Sequence, residues 1–392
     1  MDSFEFTCVG RIIFGAGKLP KAAELAANLG RRAMVITNAG TPQDCPIVVR
    51  LANALRDADV EATVLWQQGE PTVQDVDAAV EAAKAAGCEV LVGLGGGSAI
   101  DTAKAVAGIL TNGQSTAFYM DGIASGYFTK PALPWIAIPT TAGTGAEVTR
   151  NAVIADPQRR VKASLRSEHL LATAVVIDPQ LQVGLPKDVT ARCGMDALAQ
   201  LIESYTSINA GPMTDALALA GLRRAGRSLE RAYADGSDLE ARSDMALAAM
   251  LSGLTLANAG LGAVHGFAAA MGSAFPVPHG VVCGALLGPV MAANVAALRA
   301  QRADHPYLQR YATIGRILNP GPTLSDEQAA YAGARSAGEL AMRMGIPRLG
   351  QFGASDADVD ALVAQACQSS SMKYNPVTLD ESSLASVLRS TL

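Results

Sequence analysis

The sequence predicts an N-terminal α/β domain, built on a parallel sheet with helices on both faces, followed by an all-α C-terminal domain. In residues 1–185, short apolar runs alternate with segments of helical periodicity, which is typical of consecutive βαβ units. In residues 186–392, the strand-like runs disappear and long helical patterns take over. A hydrophobic content of 49% with 17% charged residues indicates a large buried core. We therefore expect two domains, 1–185 and 186–392.

The elements of the first half follow from apolar runs and their stop signals. Strands are predicted at 10–15, 32–37, 61–66, 88–94, 135–138 and 174–178, with helices between them at 18–29, 47–58, 73–86 and 99–110. Gly30 and Gly87 follow two of these helices, as expected for glycine just after a helix C-terminus. A turn at 155–157 between the runs 150–154 and 161–164 predicts a hairpin. In the second half, helices are predicted at 189–207, 213–234, 239–257, 324–344 and from 280 onward.

Two loops at strand ends suggest a cofactor. The strand at 88–94 runs through consecutive glycines and Ser98 into a helix, so an anion can approach the backbone and the free N–H groups of the helix N-terminus. The loop 139–149 brings threonines and glycines to the carboxyl end of the next strand, where ligands of open α/β sheets bind. A plain tight turn and a capping loop are the alternatives, and the dinucleotide fingerprint GxGxxG is absent. Together the loops favour a phosphate-bearing cofactor.

Residues 245–298 contain no Asp, Glu, Lys or Arg, yet they include His265 and His279. Burial of an imidazole costs free energy unless it finds a partner. Asp196 stands in equally apolar helical surroundings, with Gln200 on the same helix face. A structural pair with Arg192, one turn earlier, or a backbone contact is the alternative for this carboxylate. One carboxylate and two imidazoles suit a divalent transition metal, so we predict a metal site made by Asp196, His265 and His279.

Other classes of protein are excluded by composition. The net charge is −5 and no basic run occurs, which argues against nucleic-acid binding. The N-terminus lacks the apolar core of a signal peptide, and polar residues interrupt the charge-free stretch, so we expect no membrane association. The six cysteines are scattered singly without a CxxC pair, which is typical of reduced thiols in a cytoplasmic protein.

Six motifs in order resemble those of the iron-containing (group III) alcohol dehydrogenase family over nearly the whole chain. They are GGGSAIDTAK (95–104), PTTAGTGAEVT (139–149), GMDALAQLIE (194–203), GAVHGFA (262–268), PHG (278–280) and SSMKYNPV (370–377). The resemblance implies a dinucleotide-binding domain, a helical metal and substrate domain, and a homodimer. It also implies NAD(P)-dependent hydride transfer between an alcohol and its aldehyde or ketone, with a divalent metal, Fe or Zn, polarising the substrate oxygen.

The resemblance also implies roles for individual residues. The cofactor would be bound by Asn38, Gly96, Gly97, Ser98, Asp101, Thr140, Thr141, Thr144 and Lys162. The metal ligands would be Asp196, Gln200, His265 and His279, of which Asp196, His265 and His279 would act in catalysis.

The chain departs from the family pattern at three positions. Gln200 replaces a metal-binding His, and an amide oxygen is a weaker donor than imidazole. This change predicts one of three outcomes: a weakly bound metal, a metal other than iron, or no metal. Ala269 replaces a second His near the nicotinamide, so the proton must leave by another route. The neutral Asn38 stands where NAD-preferring members tend to have Asp; we expect NAD, with NADP as the alternative. A metal-independent reductase of oxo-acids, similar to maleylacetate reductase, and a non-catalytic nucleotide-binding protein are the rival functions.

Overall fold

The chain divides into two compact units. The computed structural model describes residues 3–38, 45–124, 126–159, 161–321 and 323–392. The sheet unit consists of residues 7–141 and 145–183. The helical unit consists of residues 1–6, 142–144 and 184–392.

The sheet unit contains the predicted parallel sheet. Its strands are β1 (Ile12–Phe14), β2 (Arg32–Thr37), β3 (Glu61–Trp66), β4 (Val90–Gly95), β5 (Trp135–Pro139), β6 (Asn151–Asp156), β7 (Val161–Arg166) and β8 (Ala174–Ile177). Six of them pair in parallel in the order β1-β8-β5-β4-β2-β3, while β6 and β7 form the predicted antiparallel hairpin. The helices are α1 (Pro20–Ala27), α2 (Pro46–Asp57), α3 (Val73–Ala85) and α4 (Gly97–Asn112).

Helices cover both faces of this sheet, as predicted. Side chains alternate between the two faces of a strand. On one face, Val35 of β2 shares an apolar cluster with Leu51 of α2. On the other face, Gly93 of β4 lies so close to α4 that an added Cβ would be 2.9 Å from the Cβ of Ala103. The sheet is therefore buried on both sides, which explains why its strands are continuous apolar runs.

The strand order reverses between β2 and β4. The chain passes from β2 to β3 on one side, returns to β4 on the other side of β2, and continues outward to β5. In open α/β sheets, ligands bind at the carboxyl ends of the strands on either side of such a reversal. Asn38 directly follows β2, and the glycine turn directly follows β4.

The helical unit contains nine α-helices within the described residues. They are α5 (Lys187–Thr206), α6 (Pro212–Ala234), α7 (Leu239–Ala259), α8 (Ala263–Ala274), α9 (His279–Gln301), α10 (Pro306–Leu318), α11 (Asp326–Arg343), α12 (Val359–Gln368) and α13 (Glu381–Arg389). The charge-free stretch is broken at Gly260, whose φ of 74° ends α7, and α8 leaves at an angle of 97° to α7. Periodicity did not reveal α8, because its own residues are almost all apolar or small, so no polar face marks a helical repeat.

Among the described residues, α9 alone is by itself long and apolar enough to cross a membrane, and α7 with α8 would pass the same test as one bent span. Of the most apolar 18-residue segment of α9, 67% is buried inside the structure. A core helix of a globular protein has these same properties, so the helix is weak evidence for a membrane span.

Candidate metal centre and cofactor loops

Four potential metal ligands converge in the helical unit: Asp196 on α5, His265 on α8, and His279 and Cys283 on α9. Their donor atoms all lie within 4.8 Å of one another. Oδ1 of Asp196 lies 3.3 Å from Nε2 of His265 and 3.6 Å from Nε2 of His279. Sγ of Cys283 lies 3.7 Å from Nε2 of His265. The structure thus brings together the predicted trio and adds a thiol to it.

Gly280 allows the helices that carry these ligands to approach. His279 begins α9, and Cys283 follows one turn later on the same helix face. At Gly280 an added Cβ would lie 2.1 Å from the carbonyl oxygen of Arg192 on α5. Since any larger residue would force the two helices apart, this glycine sets the distance between the ligands of α9 and Asp196.

Glu203 orients His265. Its Oε2 lies 2.6 Å from Nδ1 of His265, and its Oε1 accepts a hydrogen bond of 2.6 Å from the Val264 N–H at the start of α8. When an ion replaces the proton on Nε2, a carboxylate on Nδ1 holds the remaining proton there and leaves the Nε2 lone pair for the ion. Glu203 therefore both caps α8 and fixes the imidazole for coordination.

Sequence reasoning missed Glu203 and Cys283, although each had a signal. Glu203 lies seven residues after Asp196, and Cys283 lies four residues after His279, so each shares a helix face with a predicted ligand.

The electrostatics of the cluster favour a cation. The Cys283 sulfur and the Asp196 carboxylate raise the pKa of His279 to about 9, against the opposing effect of burial. Burial also acts to lower the pKa of His265, yet Cys283, Asp196 and Glu203 raise it well above its ordinary value. The pKa of Asp196 is lowered despite burial because both imidazoles lie beside it. Positive charge is thus stabilised where the donor atoms meet, as a divalent ion requires.

Gln200 lies beside the cluster. Its Nε2 is 3.4 Å from Oδ1 of Asp196, and its Oε1 accepts a hydrogen bond of 2.7 Å from Oγ of Ser252. In this arrangement the amide nitrogen, which does not coordinate, faces the carboxylate. Arg192 was the alternative partner predicted for Asp196. In the described part of the chain, no ion pair joins these two residues, and Asp196 instead lies beside His265 and His279.

The cofactor loops of the sheet unit meet at the reversal of strand order. Gly95 has a φ of 156°, and an added Cβ there would lie 2.2 Å from Oδ1 of Asn38. The Gly96 N–H donates a hydrogen bond of 3.1 Å to the same oxygen, while the Thr140 N–H donates one of 2.8 Å to the Gly95 carbonyl. An added Cβ on Gly96 would lie 3.4 Å from Oγ1 of Thr141. The structure therefore brings Asn38, Gly96, Thr140 and Thr141 together.

Gly97 and Ser98 form the first residues of α4, next to that meeting point, and Gly96 is its N-cap. Gly96 has no side chain with which to cap this helix end. Its first N–H groups therefore lack helical partners, and the helix dipole adds positive potential there.

Three further residues predicted to bind cofactor lie away from this meeting point or have protein partners of their own. Oδ2 of Asp101 accepts a hydrogen bond of 3.0 Å from the Val153 N–H of the hairpin. Nζ of Lys162 forms an ion pair of 2.5 Å with Glu70. Thr144 is exposed and belongs to the helical unit.

Family models match both halves of the chain. A model described as iron-containing alcohol dehydrogenase matches residues 10–179, and one described as the C-terminal part of the Fe-containing alcohol dehydrogenase family matches residues 190–392. The probable alcohol dehydrogenase EutG of Escherichia coli (strain K12) is 38% identical, over 81% of this chain and 77% of that protein. The NAD-dependent methanol dehydrogenase of Bacillus methanolicus is 31% identical, over 97% of both chains.

The fold is also similar to that of a solved structure. The crystal structure of a 1,3-propanediol oxidoreductase superposes with a TM-score of 0.92 at 30% identity, and the match covers 100% of both chains.

Proposed function

This chain belongs to the iron-containing alcohol dehydrogenase family, and we propose that it uses NAD and a divalent metal held by Asp196, His265 and His279. As a member of the family it is an alcohol dehydrogenase, which transfers a hydride between an alcohol and its aldehyde or ketone. The convergence of the donor atoms within 4.8 Å is the observation that carries the metal assignment.

The spacing of the donors fits a small divalent ion. For bonds of about 2.0–2.1 Å to nitrogen and oxygen in a tetrahedral site, neighbouring donors lie roughly 3.3 Å apart. The separations of 3.3 and 3.6 Å from Asp196 to the two imidazoles are close to this value before any ion draws the ligands in. Asp196 therefore already lies at about the spacing of a ligand from both imidazoles.

When bound, the metal supplies Lewis acidity toward the substrate oxygen and the nicotinamide accepts or donates the hydride. Glu203 keeps the proton of His265 on Nδ1, so that Nε2 stays available as a ligand. The glycine turn and the N-terminus of α4 bind the pyrophosphate of NAD. His279 is 46% exposed, so solvent reaches the ligand cluster. Because Ala269 carries no titratable group, we assign the proton of the alcohol to this solvent.

NAD is proposed over NADP for two reasons. The relative from Bacillus methanolicus is named as NAD-dependent. In this chain, Oδ1 of Asn38 is already bonded to the Gly96 N–H, and Asn38 offers no positive charge to a 2′-phosphate. All nine residues predicted to bind cofactor stay predictions that substitution would test: Asn38, Gly96, Gly97, Ser98, Asp101, Thr140, Thr141, Thr144 and Lys162.

Both rival functions are disfavoured. A metal-independent oxo-acid reductase gives no reason for one carboxylate and two imidazoles to converge. A non-catalytic nucleotide-binding protein does not fit the family, whose matched relatives are named as alcohol dehydrogenases and oxidoreductases.

We further propose a cytoplasmic homodimer that acts on a small alcohol or aldehyde. The described residues contain no disulfide, which suits a reducing compartment. Sedimentation velocity of the purified chain tests the dimer, and a single species with the mass of a monomer would refute it.

The central test is metal dependence. The chain is purified without chelator, its metal content is measured by elemental analysis, and alcohols and aldehydes are assayed with NAD and NADP before and after EDTA. We expect EDTA to abolish activity, a divalent metal to restore it, and NAD to be preferred. His279→Ala should lose the metal, whereas His169→Ala, at an exposed histidine of the sheet unit, should retain it. Full activity in metal-free protein would refute the Lewis-acid role.

A further inference from the structure

We propose that Cys283 supplies the fourth protein ligand of the metal, as a thiolate and in place of Gln200, and that this sulfur makes the site select zinc over iron. The inference deepens the proposed function and rests on its metal site.

The position of Cys283 is that of a ligand. Its side chain is completely buried, and its Sγ lies 3.7 Å from Nε2 of His265. In a tetrahedral site with a zinc–nitrogen bond of about 2.1 Å and a zinc–sulfur bond of about 2.3 Å, the two donors lie roughly 3.6 Å apart. The thiol therefore already has the spacing that coordination requires. Its location one turn after His279 lets one face of α9 supply two ligands.

Gln200 is a poorer candidate for the same role. Its amide oxygen is engaged by Oγ of Ser252 at 2.7 Å, and its amide nitrogen faces Asp196. A neutral amide oxygen is also a weak donor to late divalent metals, whereas a thiolate is a strong one. Gln200 then acts as a neighbour that donates a hydrogen bond to the Asp196 carboxylate.

Charge also permits the thiolate. Asp196 and a Cys283 thiolate cancel the two charges of the ion, and the negative charge of Glu203 lies at the N-terminus of α8, where it accepts the Val264 N–H. When the metal–sulfur bond forms, sulfur donates an electron pair to the ion and the thiol proton passes to solvent.

The ligand set indicates the metal. Thiolate and imidazole are the ligands that zinc prefers, and nitrogen, oxygen and sulfur donors of this kind bind zinc more tightly than iron(II). His279 is 46% exposed, so the cluster is open on one side and a fifth group can join four protein ligands. Four protein ligands are therefore compatible with a zinc ion that also binds substrate.

The test uses the full-length chain, stripped of metal and loaded with cobalt(II). Cobalt bound to a thiolate gives a strong near-ultraviolet sulfur-to-cobalt charge-transfer band. We expect the band in the wild type, in Gln200→Met and in the control Cys367→Ser, which changes an exposed cysteine of the same unit. Cys283→Ser should lose the band and bind zinc at least about 10-fold more weakly. Substitution of a residue that only hydrogen-bonds to a ligand already lowers metal affinity about 10–100-fold.

A competition experiment tests the preference for zinc. Equimolar zinc(II) and iron(II) are offered without oxygen, and bound metal is measured by elemental analysis. Wild type and Cys367→Ser should contain zinc, and Cys283→Ser should contain a larger share of iron.

Several outcomes would overturn the inference. A cobalt-loaded wild type without the charge-transfer band excludes a sulfur ligand, whatever the variants do, and leaves the proposed metal site intact. A loss of zinc affinity in Gln200→Met but not in Cys283→Ser assigns the fourth position to the amide. If Cys283→Ser does not fold, Cys283→Ala and the wild-type spectrum decide the question. A wild type that binds no divalent metal refutes the proposed function together with the inference.

Discussion

Replacement of Gly280 by Ala should separate the two helices that carry the metal ligands. An added Cβ would lie 2.1 Å from the carbonyl oxygen of Arg192 and 2.7 Å from its carbonyl carbon. Since non-bonded atoms need roughly 3.4 Å, α9 must move away from α5 by about 1.3 Å. Overpacking of this kind costs about 1–3 kcal/mol of folding free energy. The displacement also exceeds the tolerance of a metal site, which is about 0.2 Å in a ligand distance.

The assay for Gly280→Ala combines urea unfolding of the metal-free protein with a zinc titration. We expect a loss of about 1–3 kcal/mol in the free energy of unfolding and a much weaker zinc affinity. Gly338→Ala is the matched control, because an added Cβ on this α11 residue meets nothing within 4 Å. It should leave zinc affinity unchanged and stabilise by up to about 1 kcal/mol through helix propensity. Wild-type stability and affinity in Gly280→Ala would refute the argument that this glycine sets the ligand distances.

Three further substitutions test other features. Glu203→Gln should lower zinc affinity about 10–100-fold in a competition titration, because an amide does not hold the Nδ1 proton of His265 as a carboxylate does; unchanged affinity would contradict the role of Glu203. Lys104→Met should cost about 3–5 kcal/mol in urea unfolding, because the fully buried ammonium donates to Ala146 O, Thr149 Oγ1 and Asn151 O, and a loss below 1 kcal/mol would show the contacts to be weak. Burial raises the pKa of Glu147 from 4.5 to about 7, so the fold holds this proton while the unfolded chain loses it. Wild type should therefore lose up to about 3 kcal/mol relative to Glu147→Gln as pH rises from 4.5 to 7, and parallel pH profiles of thermal unfolding would contradict this.

The order of elements in the sheet unit could be read from the sequence because each strand is a continuous apolar run. A doubly covered parallel sheet requires such runs, and the helices between them carry glycine stop signals at Gly30 and Gly87. The ends were less accurate: the helix predicted at 18–29 begins at Pro20, whose ring is suited to the first helical turn, and ends at Ala27.

The convergence of Asp196, His265 and His279 could be predicted from the sequence, because a carboxylate and two imidazoles in charge-free surroundings need partners. Cys283 shares a helix face with His279, but this signal is weak, since a single cysteine on an apolar helix is most often a core residue. The proximity of Cys283 to Asp196 depends on how closely α9 approaches α5, and that distance is set by Gly280, whose effect is visible only in three dimensions. The ion pair of Lys162 with Glu70 was hidden for the same reason, because nothing local to the hairpin indicates it.

The proposed metal ligands are distributed over three helices, and Asp196 on α5 lies 69 positions before His265 in the chain. No short segment carries the complete ligand set, so full coordination of the ion must follow the docking of α5 with α8 and α9. An ion that binds only the docked form then holds these helices together by mass action. The amount of metal that a preparation takes up at saturation thus measures how many of its molecules have docked these helices.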